Sequence, residues 1–270
     1  MPTPNHPPPK IVFFDIDDTL YIKDTQSIPD SVSTALHALK NQGIIIAIAT
    51  GRSLGIIPPP IRQLIDTVGI DYLLTMNGQY NQYQGQKLFD YPLKPEQVLA
   101  VLQLFDKHRI ATACMTKTEV YHFLDSDNRQ AALSSLNIQS IKADKDSFDF
   151  YQPIYQILAF YQENQASLLD LPTGIKTTRW HECAVDVLDA NSSKARAITA
   201  LLERLDISPT DAAAFGDGLN DIEMFELVGT AIAMGNAHPD AKQAADMVCP
   251  RHDEDGILQA IKQLQWVKIT

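Results

Sequence analysis

The sequence has few cysteines, no long apolar run and no cluster of basic residues. Its three cysteines, Cys114, Cys183 and Cys249, are too few and too widely spaced for a disulfide framework or a CxxC site. We therefore expect reduced thiols in the core of a cytoplasmic protein. The longest nearly uninterrupted apolar stretch, residues 43–49, is far shorter than the roughly 20 residues that a membrane-spanning helix needs. We therefore expect no membrane partner.

Acidic residues outnumber basic ones, with 33 Asp and Glu against 22 Lys and Arg and a formal net charge of −11. A chain of that charge repels the phosphates of nucleic acids, so we expect no nucleic-acid partner. Hydrophobic residues make up 45% of the 270 residues, which is enough for well-buried cores in two compact units. The Pro-rich start, residues 1–9, predicts a disordered tail.

Apolar runs alternate with helical patterns in the first and last parts of the chain. Residues 10–15 predict a strand buried on both faces, residues 44–49 another fully apolar strand and residues 71–75 a third, short one. Residues 30–40 have the apolar spacing of a helix. Strands and helices joined by short connections are typical of a Rossmann-like, doubly wound parallel α/β sheet. The same pattern returns after Ser192.

A different pattern begins after the pair Asn77-Gly78. Alternating strands with hairpin turns and amphipathic helices predict a separate α+β module inserted into the α/β core. We therefore predict a core domain made of residues 10–79 and 189–270, with an inserted cap domain at residues 80–188.

Acidic residues follow the first predicted strand, at residues 15–19 (DIDDT). Residues two apart on a strand face the same side, so Asp15 and Asp17 share one face beyond its carboxyl end, where α/β sheets bind ligands. One carboxylate can then act as a nucleophile and the other as the proton donor to a leaving group. An ordinary turn and helix cap would account for the same residues.

Three further segments favour the catalytic interpretation. Residues 216–221 (GDGLND) supply the hard oxygen ligands that Mg²⁺ prefers, although a plain Gly/Asn loop has the same composition. Thr50-Gly51 offers a hydroxyl and backbone N–H groups to phosphate oxygens, and Arg52 could reach a second anionic group or form an ordinary salt bridge. Lys194 begins a predicted helix, where helix dipole and ammonium favour an anion, although most helix lysines are solvated.

With these motifs in order, the chain resembles the haloacid dehalogenase superfamily of phosphotransferases, whose four motifs match DIDDT, Thr50, Lys194 and GDGLND. The interval from Asp17 to Thr50 holds only a helix and a strand, whereas the interval from Thr50 to Lys194 holds a whole domain. An insertion at that point, together with the ATGR segment, Asn77-Gly78 and the late DEDG, resembles the Cof-type branch with its class IIB cap.

The resemblance implies a role for each matched residue. It implies Asp15 as the nucleophile that forms an aspartyl-phosphate, and Asp17 as the general acid and base. Mg²⁺ is the implied cofactor, and its implied site comprises Asp15, the backbone carbonyl of Asp17, Asp217 and, in support, Asp221. The implied contacts of the phosphoryl group are the Ile16 backbone N–H, Thr50, Gly51, Lys194 and Asn220.

The implied activity is a Mg²⁺-dependent phosphatase acting on a small phosphorylated metabolite such as a sugar phosphate. A phosphomutase that uses the same aspartyl-phosphate and a non-catalytic metabolite-binding or regulatory protein on this fold are the alternatives. The non-catalytic alternative is disfavoured, because the sequence retains Asp15, Asp17, Lys194 and Asp217. Neither the substrate nor the oligomeric state follows from the sequence.

One departure from the family pattern lies at residues 57–60 (IPPP), where relatives have a helix after ATGR. Proline lacks a backbone N–H and clashes with the preceding helical turn. These residues therefore predict an interrupted helix and an altered loop near Arg52.

Overall fold

Two β-sheets, one of eight strands and one of six, organise the chain, whose computed structural model describes residues 7–267. In chain order the strands are β1 (Ile11–Phe14), β2 (Ile45–Ala49), β3 (Tyr72–Thr75), β4 (Tyr80–Tyr83), β5 (Gln86–Asp90), β6 (Ala111–Met115), β7 (Val120–His122), β8 (Ile141–Lys142), β9 (Gln156–Phe160), β10 (Ile175–His181), β11 (Ala184–Asp189), β12 (Ala212–Gly216), β13 (Thr230–Ala233) and β14 (Met247–Val248). The helices are α1 (Asp30–Asn41), α2 (Pro59–Val68), α3 (Pro95–Lys107), α4 (Asp127–Ser135), α5 (Lys194–Leu205), α6 (Ile222–Leu227), α7 (Pro239–Ala244) and α8 (Gly256–Gln263).

The larger sheet is the predicted parallel α/β core. Its strand order is β14-β13-β12-β1-β2-β3-β4-β5, and the strands from β14 to β3 run parallel. Strand β1 lies near the centre and is buried along its whole length, as a strand covered on both faces must be. Phe14 of β1 stacks on Phe215 of β12, with ring centroids 5.0 Å apart. The predicted fold class, α/β with a parallel core sheet, is confirmed.

The register of β1 with its neighbours brings three chain segments to one edge of the sheet. Phe14 pairs with Phe215 of β12 on one side and with Ile48 of β2 on the other. Because parallel strands end at the same edge, the residues that follow these strands emerge side by side. Asp15 follows β1, and the loops after β2 and β12 begin beside it.

The chain divides into two compact units. The first comprises the described residues up to Gly51, Ile57–Phe89 and the described residues from Ser193, and the second comprises Arg52–Ile56 and Asp90–Ser192. We predicted residues 80–188 as the insertion, but β4 and β5 extend the larger sheet and β4 pairs antiparallel with β3. The alternation that begins after Asn77-Gly78 therefore marks a change from parallel to antiparallel pairing rather than a domain boundary.

The second unit is an α+β module built on the six-stranded sheet. Its strand order is β10-β11-β9-β6-β7-β8, and all neighbours are antiparallel except β7 and β8. Helix α3 buries Val98, Val101 and Phe105 in a core shared with β6, β9 and β11. Helix α4 was not predicted from the sequence; Ser126 caps it by accepting a hydrogen bond from the Arg129 backbone N–H at 3.1 Å.

Helix α2 corrects our prediction for residues 57–60. The helix begins at Pro59, with Pro59 and Pro60 in its first two positions. The backbone N–H groups of these positions have no partner within a helix, so proline costs nothing there and its fixed φ suits the first turn. The three prolines therefore start the helix rather than interrupt it.

Three other expectations concern the start of the chain, the cysteines and membrane-spanning helices. Of the predicted tail, residues 1–6 lie outside the described part of the chain, whereas Pro7 and Pro8 are exposed and Pro9 is buried. All three cysteines are buried and without disulfides, as predicted. Within residues 7–267, no helix combines the length and the apolar character needed to cross a membrane.

Strand β11 carries an acidic residue inside the second unit. Asp186 lies opposite Thr178 of β10 and Leu158 of β9. Burial raises the pKa of Asp186 to about 8, and the neighbouring Trp180 and Gln156 side chains offset only part of that effect. Between its ordinary pKa near 3.8 and about 8, the folded protein therefore binds a proton at Asp186 that the unfolded chain releases.

We predict that Asp186 lowers the free energy of unfolding as the pH rises from near 3.8 to about 8. Asp186→Asn should unfold at a higher urea concentration than the unsubstituted protein at about pH 8, with a smaller difference at about pH 5. The matched control is Asp66→Asn, because Asp66 is exposed on α2. Equal urea midpoints for Asp186→Asn and the unsubstituted protein at the higher pH would refute the assignment.

Candidate active site

A buried cluster of one lysine and two aspartates lies at the edge where β1 and β12 end. The Lys194 ammonium donates to Asp15 Oδ1 at 2.5 Å and to Asp221 Oδ1 at 2.6 Å. Exposed fractions are 1% for Lys194, 6% for Asp15 and 0% for Asp221. Charges so far from water persist only when they are paired, so Lys194 depends on the two carboxylates and each carboxylate depends on Lys194. We call them the Asp15–Lys194–Asp221 cluster.

Lys194 reaches the cluster because it is the first residue of α5. Ser193 caps that helix by accepting a hydrogen bond from the Arg196 backbone N–H at 3.1 Å. Burial alone would lower the pKa of Lys194, but the carboxylates of Asp15 and Asp221 raise it above its ordinary value. Lys194 is therefore a permanently charged group inside the site rather than a solvated helix lysine.

Asp221 holds the loop after β12 in place. Its Oδ2 accepts hydrogen bonds from the backbone N–H groups of Asp217 at 2.9 Å and Gly218 at 2.8 Å. Gly216 must be a glycine, because a Cβ there would lie 2.5 Å from the Asp221 carboxyl group. Both Asp221 oxygens thus accept from protein donors, and the carboxylate ties the loop to Lys194.

A third carboxylate, that of Asp217, lies beside the cluster. One oxygen each of Asp15, Asp217 and Asp221 lies within 4.8 Å of the other two. Burial raises the pKa of Asp217 to about 8, and the charges of Asp15, Asp221 and Asp18 add to the effect. Burial likewise raises the pKa of Asp15 to about 7, although Lys194 opposes the rise.

The charge balance of these groups fits a divalent cation. Two buried carboxylates and the half-buried carboxylate of Asp217 lie around the buried ammonium of Lys194. Burial raises the pKa values of Asp15 and Asp217, and the neighbouring carboxylates add to both rises. Carboxylate oxygens are the ligands of hard cations such as Mg²⁺ and Ca²⁺. The donors present therefore suit a metal of that class.

The loop that carries Asp17 is a tight turn. The Ile16 carbonyl accepts from the backbone N–H groups of Leu20 at 3.0 Å and Tyr21 at 2.8 Å, and Asp18 has a φ of +56°. Asn236 fixes this turn from another loop, because its Nδ2 donates to the Asp18 carbonyl at 2.8 Å. The turn places Asp17 directly after Asp15 and Ile16 in a half-buried position.

Asn77, for which no role was predicted from the sequence, lies next to three residues predicted to bind phosphate: Thr50, Gly51 and Asn220. Asn77 accepts a hydrogen bond at Oδ1 from Asn220 Nδ2 at 3.1 Å, and its backbone N–H donates to the Thr50 carbonyl at 3.0 Å. A Cβ on Gly51 would lie 3.5 Å from the Asn77 carboxamide. The only signal in the sequence was the pair Asn77-Gly78, typical of turns with positive φ.

Arg52 belongs to the second unit, unlike the other predicted site residues. Its guanidinium is buried and donates from Nη1 to the Ile56 carbonyl at 2.8 Å. This bond spans the short 3₁₀ turn Leu54–Ile56 that follows it. The predicted contact of Arg52 with substrate stays a prediction.

We predict that Lys194→Met destabilises the fold strongly and in a pH-dependent way. The substitution keeps the size of the side chain but leaves Asp15 and Asp221 without their shared cation, which should cost about 3–5 kcal/mol of the free energy of unfolding. The loss should be smaller at about pH 5 than at about pH 8, since Asp15, whose pKa is about 7, is protonated and uncharged at the lower pH. Urea unfolding at both pH values measures it.

The control for this prediction is Lys262→Met, which removes an exposed lysine of α8. It should leave the urea midpoint nearly unchanged. A loss for Lys194→Met that is the same at both pH values would contradict the charge-based explanation.

Residues 12–261 match the model of the family described as haloacid dehalogenase-like hydrolase. The chain is 35% identical to YkrA of Bacillus subtilis (strain 168), provisionally named a phosphatase, over 96% of this chain and 99% of YkrA. It is 31% identical to the HMP-PP phosphatase of Cronobacter sakazakii, over 84% of each chain.

A solved structure of BT4131, described as a sugar phosphatase of haloacid dehalogenase subclass IIB, superposes with a TM-score of 0.85. Its sequence is 28% identical, and the match covers 96% of this chain and all of that one. These findings confirm the predicted superfamily and its Cof-type branch. The chain belongs to the haloacid dehalogenase-like hydrolase family.

Proposed function

We propose that the protein is a Mg²⁺-dependent phosphatase that hydrolyses a small phosphorylated metabolite through a phosphorylated Asp15. The observation that carries the proposal is the Asp15 carboxylate, held by Lys194 at the end of β1 with Asp217 beside it. A carboxylate fixed in this way is a positioned nucleophile, and phosphoryl transfer depends mainly on position and charge neutralisation. The phosphatase names of the relatives support the same class of reaction.

The reaction has two displacements. In the first, an Asp15 carboxylate oxygen attacks phosphorus, the bond from phosphorus to the ester oxygen breaks, and Asp17 gives its proton to the leaving alcohol. In the second, a water molecule attacks phosphorus, Asp17 takes a proton from it, and the bond from phosphorus to Asp15 breaks. Inorganic phosphate and the original carboxylate are the products.

Charge neutralisation comes from fixed groups of the first unit. Lys194 is the one buried ammonium at the site within the described residues, and it faces the carboxylate that receives the phosphoryl group. The Ile16 backbone N–H, Thr50, Gly51 and Asn220 would bind the phosphoryl oxygens as donors that need no rearrangement during the reaction. The acidic surface of the protein contributes nothing to this binding, so the local donors must supply it.

The residues that would hold Mg²⁺ are the Asp15 carboxylate, the Asp17 backbone carbonyl and the Asp217 carboxylate, with Asp221 in support. The chemistry that the ion supplies when bound is neutralisation of the negative charge shared by the phosphoryl oxygens and these carboxylates. Asp221 contributes by orienting Asp217 through the loop backbone and by holding Lys194 in register.

The substrate class is a small phosphorylated metabolite, for which a sugar phosphate is the leading example. BT4131 is described as a sugar phosphatase and the Cronobacter relative as an HMP-PP phosphatase, and both substrates are small phosphorylated molecules. The net charge of −11 disfavours nucleic-acid substrates. Buried, reduced thiols at all three cysteines support the proposed cytoplasmic location.

The test is hydrolysis of p-nitrophenyl phosphate by the purified protein. We expect turnover with Mg²⁺, none after chelation, and none above background for Asp15→Asn, which lacks the nucleophile. Asp17→Asn should lower kcat by about 10²–10⁴-fold and accumulate protein carrying one phosphoryl group, visible by intact mass. The control Asp24→Asn removes an exposed carboxylate from the segment after β1 and should retain full activity.

Two outcomes would overturn parts of the proposal. Undiminished turnover in Asp15→Asn would exclude Asp15 as the nucleophile. Transfer of the phosphoryl group back to a second hydroxyl of a sugar phosphate, without release of inorganic phosphate, would identify a phosphomutase instead.

A further inference from the structure

Three consecutive residues between β3 and β4 have left-handed backbone conformations. The φ angles are +51° at Met76, +51° at Asn77 and +82° at Gly78. Glycine adopts such angles freely and asparagine tolerates them, but methionine rarely does. A turn of this kind persists only where its surroundings hold it, and such strain clusters at functional sites. We call it the 76–78 turn.

Hydrogen bonds and close packing hold the 76–78 turn. The Asn77 backbone N–H donates to the Thr50 carbonyl at 3.0 Å. Gly78 packs so tightly on the start of α5 that a Cβ would lie 2.6 Å from the Ser193 carbonyl oxygen and 2.7 Å from the Ala197 Cβ. The turn is therefore fixed at once to the loop after β2 and to the helix that begins with Lys194.

The Asn77 side chain extends these links to the loop after β12. It is only 6% exposed, and its Oδ1 accepts a hydrogen bond from Asn220 Nδ2 at 3.1 Å. Its carboxamide also lies 3.5 Å from the position that a Cβ of Gly51 would occupy. Asn220 itself is exposed, so this hydrogen bond restrains a side chain that would otherwise sample several rotamers.

We infer that Asn77 is a positioning residue that orients the Asn220 carboxamide and the Gly51 backbone toward the phosphoryl group. The inference rests on the proposed function, in which Asn220 and Gly51 bind phosphoryl oxygens. Asn77 acts through these two neighbours, and its backbone conformation sets where its side chain lies. The strained turn thereby joins the phosphate-binding donors into one rigid unit.

The choice of asparagine follows from two requirements. The backbone favours a residue that tolerates positive φ, and glycine, asparagine and aspartate do so at the lowest cost. The side chain must accept from Asn220 without adding a charge, because a carboxylate here would repel a bound phosphate. Asparagine meets both conditions, whereas glycine lacks the acceptor and aspartate adds the charge.

The test compares Asn77→Gly, Asn77→Asp, Asn220→Ala and the double variant Asn77→Gly/Asn220→Ala in hydrolysis of p-nitrophenyl phosphate. Glycine keeps the backbone conformation, so Asn77→Gly should fold normally and lose about tenfold in kcat/KM. The double variant should lose less than the product of the two single losses, because Asn77 acts in part through Asn220. Asn77→Asp should raise KM more than Asn77→Gly does.

The matched control is Gln84→Gly, since Gln84 also has a positive φ, +48°, in the turn between β4 and β5. It should keep the kcat/KM of the unsubstituted protein. An unchanged kcat/KM for Asn77→Gly, or losses that multiply in the double variant, would overturn the inference.

A second readout does not depend on activity. The side-chain amide resonance of Asn220, identified by its absence in Asn220→Ala, should move and exchange faster with water in Asn77→Gly. An unchanged resonance would refute the positioning role even in an active enzyme. Failure of the proposed function would instead appear as an inactive unsubstituted protein or an active Asp15→Asn variant.

Discussion

The pairing of one buried ammonium with two buried carboxylates is the interaction on which the rest of the site depends. Lys194 cannot stay charged at 1% exposure without Asp15 and Asp221, and its removal would leave both buried carboxylates without a cationic partner. The cluster joins β1, the start of α5 and the loop after β12. The parts of the core that precede and follow the second unit in the chain are thus both tied to Asp15, which we assign as the nucleophile.

The cluster also leaves the site short of positive charge. Asp217 brings a third carboxylate to within 4.8 Å of the other two, and burial raises the pKa values of Asp15 to about 7 and Asp217 to about 8. Ionisation of these carboxyl groups destabilises the fold as the pH rises through their pKa values. The same negative charge would attract a divalent cation, which can in turn bind a phosphate. The strained 76–78 turn lies at the same edge of the sheet. The surrounding structure holds both this turn and the crowded carboxylates in place.

Much of this arrangement could be predicted from sequence because it depends on local patterns. Buried parallel strands have continuous apolar runs, and the residues after β1, β2 and β12 carry the motif side chains. Strands β4 and β5 extend the larger sheet, and β4 pairs antiparallel with β3. Their alternating apolar and polar residues would look the same in a strand of either sheet, so the sequence could not distinguish this extension from the start of a new domain. The link from Asn77 to Asn220 joins residues 143 positions apart, and no local pattern encodes such a contact.

The carboxylates of Asp15, Asp217 and Asp221 around the Lys194 ammonium are expected to make a site for a divalent cation. The most direct measurement is thermal unfolding of the unsubstituted protein and Asp217→Asn, each with and without Mg²⁺. Without Mg²⁺ at about pH 9, above the pKa of about 8 at Asp217, Asp217→Asn should melt at or above the unsubstituted protein, because it lacks one repelling charge. With Mg²⁺ at about 100 times its dissociation constant, the Tm of the unsubstituted protein should rise by about 5–10 °C and that of Asp217→Asn should not. An equal rise in both proteins, or none in either, would contradict the claim.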